Sequence, residues 1–151
     1  MSRLQSVLIV GFACVACYTS ALQAQERRYI APRTAADAGV PPFSGAVQVG
    51  KTLYLSGSIG VDANNKVPDT AEAEARLLLD SIQRTLKEAG LTMDDLVSVQ
   101  VFCPDVSANY DAFNKVYRTY FKQEFPARAF IGSGTLINNA KFEIQGIAVK
   151  R

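Results

Sequence analysis

The apolar positions of this chain change period several times after Gln25, and each change marks an element. Gln25 to Val40 reads as a short strand and an irregular lead, and Pro41 and Pro42 stiffen the entry to the next element. In GAVQVGKTLYLSG, Gly45 to Gly57, the apolar residues Val47, Val49, Leu53 and Leu55 alternate, predicting two strands joined by a tight turn at Gly50–Lys51. Val61 to Pro68 is a polar connection, with turn chemistry in DANNK. Asp69 can cap the helix that follows, with Glu72 at capping-box spacing. Ala75, Leu79, Ile82, Leu86 and Ala89 then recur every three or four residues until Gly90 stops the helix.

Leu96 to Cys103 reads as a strand with Val97, Val99, Val101 and Cys103 on one face. A second helix starts at Ser107 or Asn109, and Tyr110, Phe113, Tyr117 and Phe121 form its packing stripe. The strands Ala127–Gly132 and Lys141–Val149 close the chain. The order strands, helix, strand, helix, strand, strand predicts an α+β two-layer domain with both helices on one face of a single sheet. Phe102, Phe130, Leu53 and Leu55 are assigned to the other face, which predicts that oligomerisation covers it.

Residues 1–24 follow a different pattern. Arg3 is their only charge, an apolar run spans Val7 to Ala16, and small and polar residues lead to LQAQ at Leu22 to Gln25. The segment has no amphipathic period, as a buried N-terminal helix would, and it is too short for a spanning helix; it reads as an export signal. Cleavage is expected after Ala24, with Ala21 as the nearby alternative, leaving residues 25–151 as one domain in the periplasm or secreted. That domain would have 127 residues, net charge +1, one cysteine and no membrane attachment.

Composition removes several chemistries. Cleavage would remove Cys14 and Cys17 and leave a single thiol, Cys103, which forms no disulfide within the remaining chain, and its place on an apolar strand face makes it a core residue. The near-neutral balance of 16 basic and 14 acidic side chains, without a basic block, argues against nucleic acid as a partner. There is no histidine, so a histidine base, a Ser-His-Asp triad and the commonest metal ligand are all missing. Residues 25–151 contain no phosphate loop and no zinc-spaced cysteine pair, and no metal or other cofactor is expected. Chemistry must then use arginine, carboxylates, hydroxyls, amides, backbone groups and water.

One arginine stands out. In FPARAFIGSGTL, Phe125 to Leu136, alternation sends Arg128, Phe130 and Gly132 one way and Ala129 and Ile131 the other. On the last strand Glu143 and Gln145 share a face opposite Phe142 and Ile144. Two accounts fit a cation and a carboxylate on otherwise apolar strands. One is a structural Arg128–Glu143 ion pair. In the other, Arg128 holds a ligand carboxylate while Glu143 orients a proton transfer.

PAR at Pro126 to Arg128, the GSGTL that follows, and KFEI at Lys141 to Ile144 resemble the signature of the RidA/YjgF family, enamine/imine deaminases with the older label L-PSP endoribonucleases. PFSGAV at Pro42 to Val47, LYLSG at Leu53 to Gly57 and YDAFNKVY at Tyr110 to Tyr117 are similar to family segments in family order. The resemblance implies a chorismate-mutase-like fold with a mixed sheet, assembled as a homotrimer with ligand clefts between subunits. It implies that Arg128 binds a substrate carboxylate, that Glu143 positions water for attack on an imine, and that Ser56, Gly57 and Asn114 line the cleft. Two positions depart from the family: Phe43 replaces its usual tyrosine, and Phe130 stands where a cysteine is common. Both make the pocket more apolar and bear on the substrate more than on the reaction.

The expected activity is hydrolytic deamination of a small 2-imino acid, formed from its enamine, to a 2-oxo acid and ammonia. The alternatives are a carboxylate-binding module without catalysis and, third, an endoribonuclease. The last lacks a histidine pair and a basic track here.

Overall fold

The computed structural model describes residues 25–34 and 36–151. The predicted export segment, residues 1–24, lies outside the described residues. Six strands and two helices follow in chain order: β1 (Arg27–Ile30), β2 (Ala46–Val49), β3 (Thr52–Ile59), α1 (Ala71–Glu88), β4 (Leu96–Cys103), α2 (Val106–Tyr117), β5 (Ala127–Gly132) and β6 (Glu143–Val149). They form one mixed sheet in the order β1-β2-β3-β6-β4-β5. Only β4 and β5 are parallel; every other neighbouring pair is antiparallel. The parallel pair needs a crossover, and α2 supplies it.

Local chemistry sets the element ends. The β2–β3 hairpin turns at Gly50–Lys51, with Val49 paired to Thr52 and Gly50 at φ +58°, a conformation that favours glycine. Gly90, at φ +76°, closes α1 in a Schellman motif: its N–H donates to the Lys87 carbonyl at 3.0 Å and the Leu91 N–H to that of Leu86 at 2.9 Å. The N-caps differ from those predicted. Thr70, not Asp69, accepts from the Ala73 N–H of α1, and Asp105, ahead of Ser107 and Asn109, accepts from the Ala108 N–H of α2. Each is the cap-type residue directly before the first residue of its helix.

The core lies between the sheet and the helices. Leu53, Leu55, Val99, Val101, Ile144 and Ala148 pack from the strands against Ala75, Leu78, Leu79, Ile82 and Leu86 of α1 and Phe113, Val116 and Tyr117 of α2. Leu53 and Leu55 therefore face the helices, and so does Phe130, which packs edge-on against Tyr110 at 5.0 Å and Phe113 at 5.4 Å. Of the four residues assigned to the uncovered face, only Phe102 belongs there, because alternation orders residues into two sets without saying which set the helices cover. Val97 is also displaced, 47% exposed, because the β4–β6 register shifts between Leu96 and Ser98 and the bulge turns it outward. The face away from the helices is mixed in polarity. Tyr54, Ser98, Gln100, Gln145 and Ile147 line a cavity of about 400 Å³ there, and the Gln145 side-chain N–H donates to the Gln100 oxygen.

One buried acid went unpredicted. Glu74 of α1 is fully buried, and its Oε1 accepts the backbone N–H groups of Lys141 at 2.7 Å and Phe142 at 2.9 Å. Lys141 Nζ lies 3.5 Å from Oε2 and donates to the Pro68 carbonyl at 3.0 Å. Those bonds explain why β6 starts at Glu143 and not at Lys141: the two preceding N–H groups serve Glu74 and not a strand. Gly60 makes the approach of α1 possible, since a Cβ there would lie 2.2 Å from the Glu74 carbonyl oxygen.

Candidate active site

Arg128 lies on the edge strand β5, in register with Val99, and Phe130 with Val101. Val99 and Val101 are buried beneath the helices, so Arg128 and Phe130 face α2. Three rings surround the guanidinium: its carbon lies 4.7 Å from the ring centre of Tyr117, 5.5 Å from that of Phe130 and 5.7 Å from that of Phe113. Arg128 Nη2 donates to Asn114 Oδ1 at 2.7 Å. No carboxylate among the described residues forms an ion pair with Arg128. The guanidinium thus keeps most of its donors for an open cleft of about 270 Å³, lined by Asn114, Tyr117, Arg118, Phe125, Pro126 and Arg128 itself. Burial pushes the Tyr117 phenol up to about 12, against the opposing charge of Arg128, so it stays neutral beside the cation.

Glu143 opens β6 on the other face of the sheet, beside Phe102 of β4 and Ile59 of β3. Its carboxylate packs directly over Gly57: a Cβ added to Gly57 would fall 2.1 Å from Glu143 Oε1 and 3.2 Å from its carboxyl carbon. Ser56, the neighbour of Gly57, donates its hydroxyl to the Ser44 carbonyl at 2.7 Å and its N–H to that of Gly45 at 3.1 Å. These bonds anchor the loop that carries Phe43 to the strand that carries Gly57. Phe43 is 48% exposed, with the Arg33 guanidinium 5.7 Å from its ring centre.

The candidate residues therefore form two groups. Arg128, Asn114 and Phe130 gather between β5 and α2; Phe43, Ser56, Gly57 and Glu143 gather around the end of β3 and the start of β6. Within one chain the sheet separates them, and the structural Arg128–Glu143 ion pair does not form. The residues that sequence reasoning overlooked in the first group are Phe125, 51% exposed at the cleft, and Arg118. Phe125 adjoins the PAR segment, which was the available signal. Cys103 is fully buried as predicted, and burial raises its thiol pKa. No group of acidic, cysteine or histidine side chains with metal-binding geometry occurs among the described residues.

One mixed sheet under two helices, with an arginine lacking an acidic partner on one face and a glutamate over a glycine on the other, is a two-layer α+β domain of the chorismate-mutase-like class. The sequence model of the family described as Endoribonuclease L-PSP matches residues 33–150. The mouse 2-iminobutanoate/2-iminopropanoate deaminase is 34% identical over 125 residues, covering 82% of this chain and 92% of its own. The YjgF gene product of E. coli superposes with a TM-score of 0.70 at 32% identity, covering 76% of this chain and 92% of its own. E. coli TdcF, solved with bound serine, gives 0.72 at 26% identity, covering 82% of this chain and all of its own. The chain belongs to the RidA/YjgF family.

Proposed function

We propose that this protein hydrolyses 2-imino acids to 2-oxo acids and ammonia, in clefts formed between the subunits of a homotrimer. The observation that carries the reading is the Arg128 guanidinium, held by rings and one amide oxygen with no acidic partner. A part-buried cation with free in-plane donors suits a planar carboxylate, which can accept two parallel hydrogen bonds from it. The names of the mammalian relatives and the serine bound in TdcF agree with a small carboxylate ligand.

In this mechanism Arg128 holds the carboxylate of the imine, formed where necessary by tautomerisation of an enamine such as 2-aminoacrylate. Glu143 of a neighbouring subunit holds a water at the imine carbon and takes a proton from it as the new C–O bond forms. Starting from the protonated imine, this leaves a neutral amine on a tetrahedral carbon, and Glu143 returns its proton to that nitrogen to make the leaving ammonium. The carboxylate then takes the proton of the new hydroxyl as the C=O bond forms and the C–N bond breaks, so that ammonia leaves with a 2-oxo acid behind. The imine is already electrophilic, so positioning and proton transfer suffice without histidine. A second subunit is required because Arg128 and Glu143 of one chain lie on opposite faces of the sheet. Phe43 and Phe130 bring apolar surface to the two halves of the cleft.

The test is to incubate the purified protein with freshly generated 2-iminopropanoate or 2-iminobutanoate and follow ammonia and oxo-acid release. Wild type should accelerate hydrolysis and Glu143→Gln should not. If Glu143→Gln hydrolyses the imines as fast as wild type, Glu143 has no catalytic part. If wild type binds 2-oxobutanoate but hydrolyses no imine, the chain is a carboxylate-binding module.

A further inference from the structure

On the reading of Arg128 as the carboxylate clamp, we propose that Tyr117 is its positioning residue, holding the guanidinium by the face of its ring and leaving the in-plane donors to the ligand. A guanidinium can be fixed in two ways. A carboxylate partner occupies the N–H groups in its plane, the same groups a ligand carboxylate needs. A ring meets it from above and consumes no donor. Arg128 has no carboxylate partner, and Tyr117 is the nearest of its three rings, at 4.7 Å.

The ring is itself fixed. Tyr117 is buried and stacks on Phe113 at 5.5 Å and 27° and on Phe125 at 6.1 Å and 22°, with Phe121 tilted against it at 4.7 Å. Its hydroxyl is buried and makes no hydrogen bond. The ring, and not the hydroxyl, is the part of Tyr117 that lies against Arg128, whose hydrogen bond goes to Asn114. Its neutral phenol adds no charge that would compete with a ligand for the cation.

The experiment compares binding of 2-oxobutanoate with that of its uncharged amide, by calorimetry, in wild type, Tyr117→Phe and Tyr117→Leu. Wild type should prefer the carboxylate. Tyr117→Phe, which keeps the ring, should hold that preference within about twofold, and its Tm should stay level or rise because a buried unpaired hydroxyl is removed. Tyr117→Leu should weaken carboxylate binding by about 5- to 30-fold while the amide binds as before, the range for losing a desolvated cation–ring contact. Equal loss for both ligands, or an undiminished preference in Tyr117→Leu, overturns the proposal. So does a wild type that does not prefer the carboxylate.

Should Tyr117→Leu fail to fold, nuclear spin relaxation of the Arg128 Nε–H in wild type decides the matter: it should be as rigid as the backbone around it, and a mobile group overturns the proposal. The deaminase reading fails separately. A wild type with a Tyr117-dependent preference for the carboxylate but no imine turnover keeps this inference and loses that one.

Discussion

Gly57→Ala should disable the carboxylate of Glu143 without touching Glu143 itself. The new methyl carbon would stand 2.1 Å from Oε1, where ordinary contact begins near 3.4 Å, so the oxygen must retreat by more than an ångström. The displaced atom is the far end of a flexible side chain, so the strain is one shifted rotamer, about 0.5–1.5 kcal/mol. For the reaction the same displacement is large, since misplacing a catalytic group by 1 Å can cost on the order of 100-fold in rate. Imine turnover should fall by about that factor, close to 2.7 kcal/mol of barrier. Binding of 2-oxobutanoate, whose carboxylate goes to Arg128 and not to Glu143, should fall much less than turnover. The assay measures kcat for 2-iminobutanoate, Kd for 2-oxobutanoate and Tm on one preparation. Wild-type kcat in a folded Gly57→Ala protein would refute the claim that the seat of Glu143 on Gly57 serves the chemistry. A large fall in Tm would make Gly57 a requirement of the strand instead.

Arg128→Lys keeps the charge but loses the fork, so imine turnover should drop by about 10- to 1000-fold with the Tm preserved; an active but unstable variant would mark Arg128 as a structural residue. Mixing equal amounts of the impaired Arg128→Lys and Glu143→Gln chains, unfolded and refolded together, should raise activity above that of either variant, to about a quarter of wild type, if each site draws one residue from each of two subunits. Complete absence of rescue in mixed oligomers would place both residues in one subunit's site, and sedimentation of wild type as a monomer would remove the shared cleft. Burial pushes the Glu74 carboxyl above its ordinary range, against the N–H groups of Phe142 and Lys141 and the Lys141 charge, so the folded chain binds this proton more tightly than the unfolded one. Its contribution is then full below the unfolded pKa and lost as pH rises through the folded value; the stability of wild type relative to Glu74→Gln should decline across that window, and a flat difference in urea midpoints would show that Glu74 stays charged. N-terminal sequencing of protein from its native source should find a start near Gln25, and an intact Met1 would end the export proposal.

The sequence made the elements legible because turns and stripes are local. Gly50, Gly90 and the stripe from Ala75 to Ala89 each act within a few residues, and all three behave as read. The caps moved by one to a few residues because Asp69 and Thr70, or Asp105, Ser107 and Asn109, are all suitable cap residues and only the helix start chooses among them. Faces were harder. Leu53, Leu55 and Phe130 needed to know where the helices lie, and Val97 needed a bulge that no alternating pattern announces. Glu74 lies one helical repeat before Leu78 and two before Ile82, on the buried side, but a carboxylate there reads as surface until Gly60 and the Lys141 and Phe142 N–H groups come near it. Arg128 and Glu143 were both singled out, while their separation by the sheet depends on the register of β5 and β6 with β4.

That separation has an evolutionary consequence. Within one chain, residues beside Arg128 on α2 and β5 can change without altering the packing of Glu143 on β3 and β6, because a layer of backbone lies between them, and the two groups meet only across the proposed subunit contact. On the proposed function, ligand grip and proton chemistry are then two inheritable traits on one small scaffold. If that function holds, a lineage that lost Glu143 would keep a carboxylate receptor, and the phenylalanines at 43 and 130, one in each group, are substitutions such a layout can absorb one at a time.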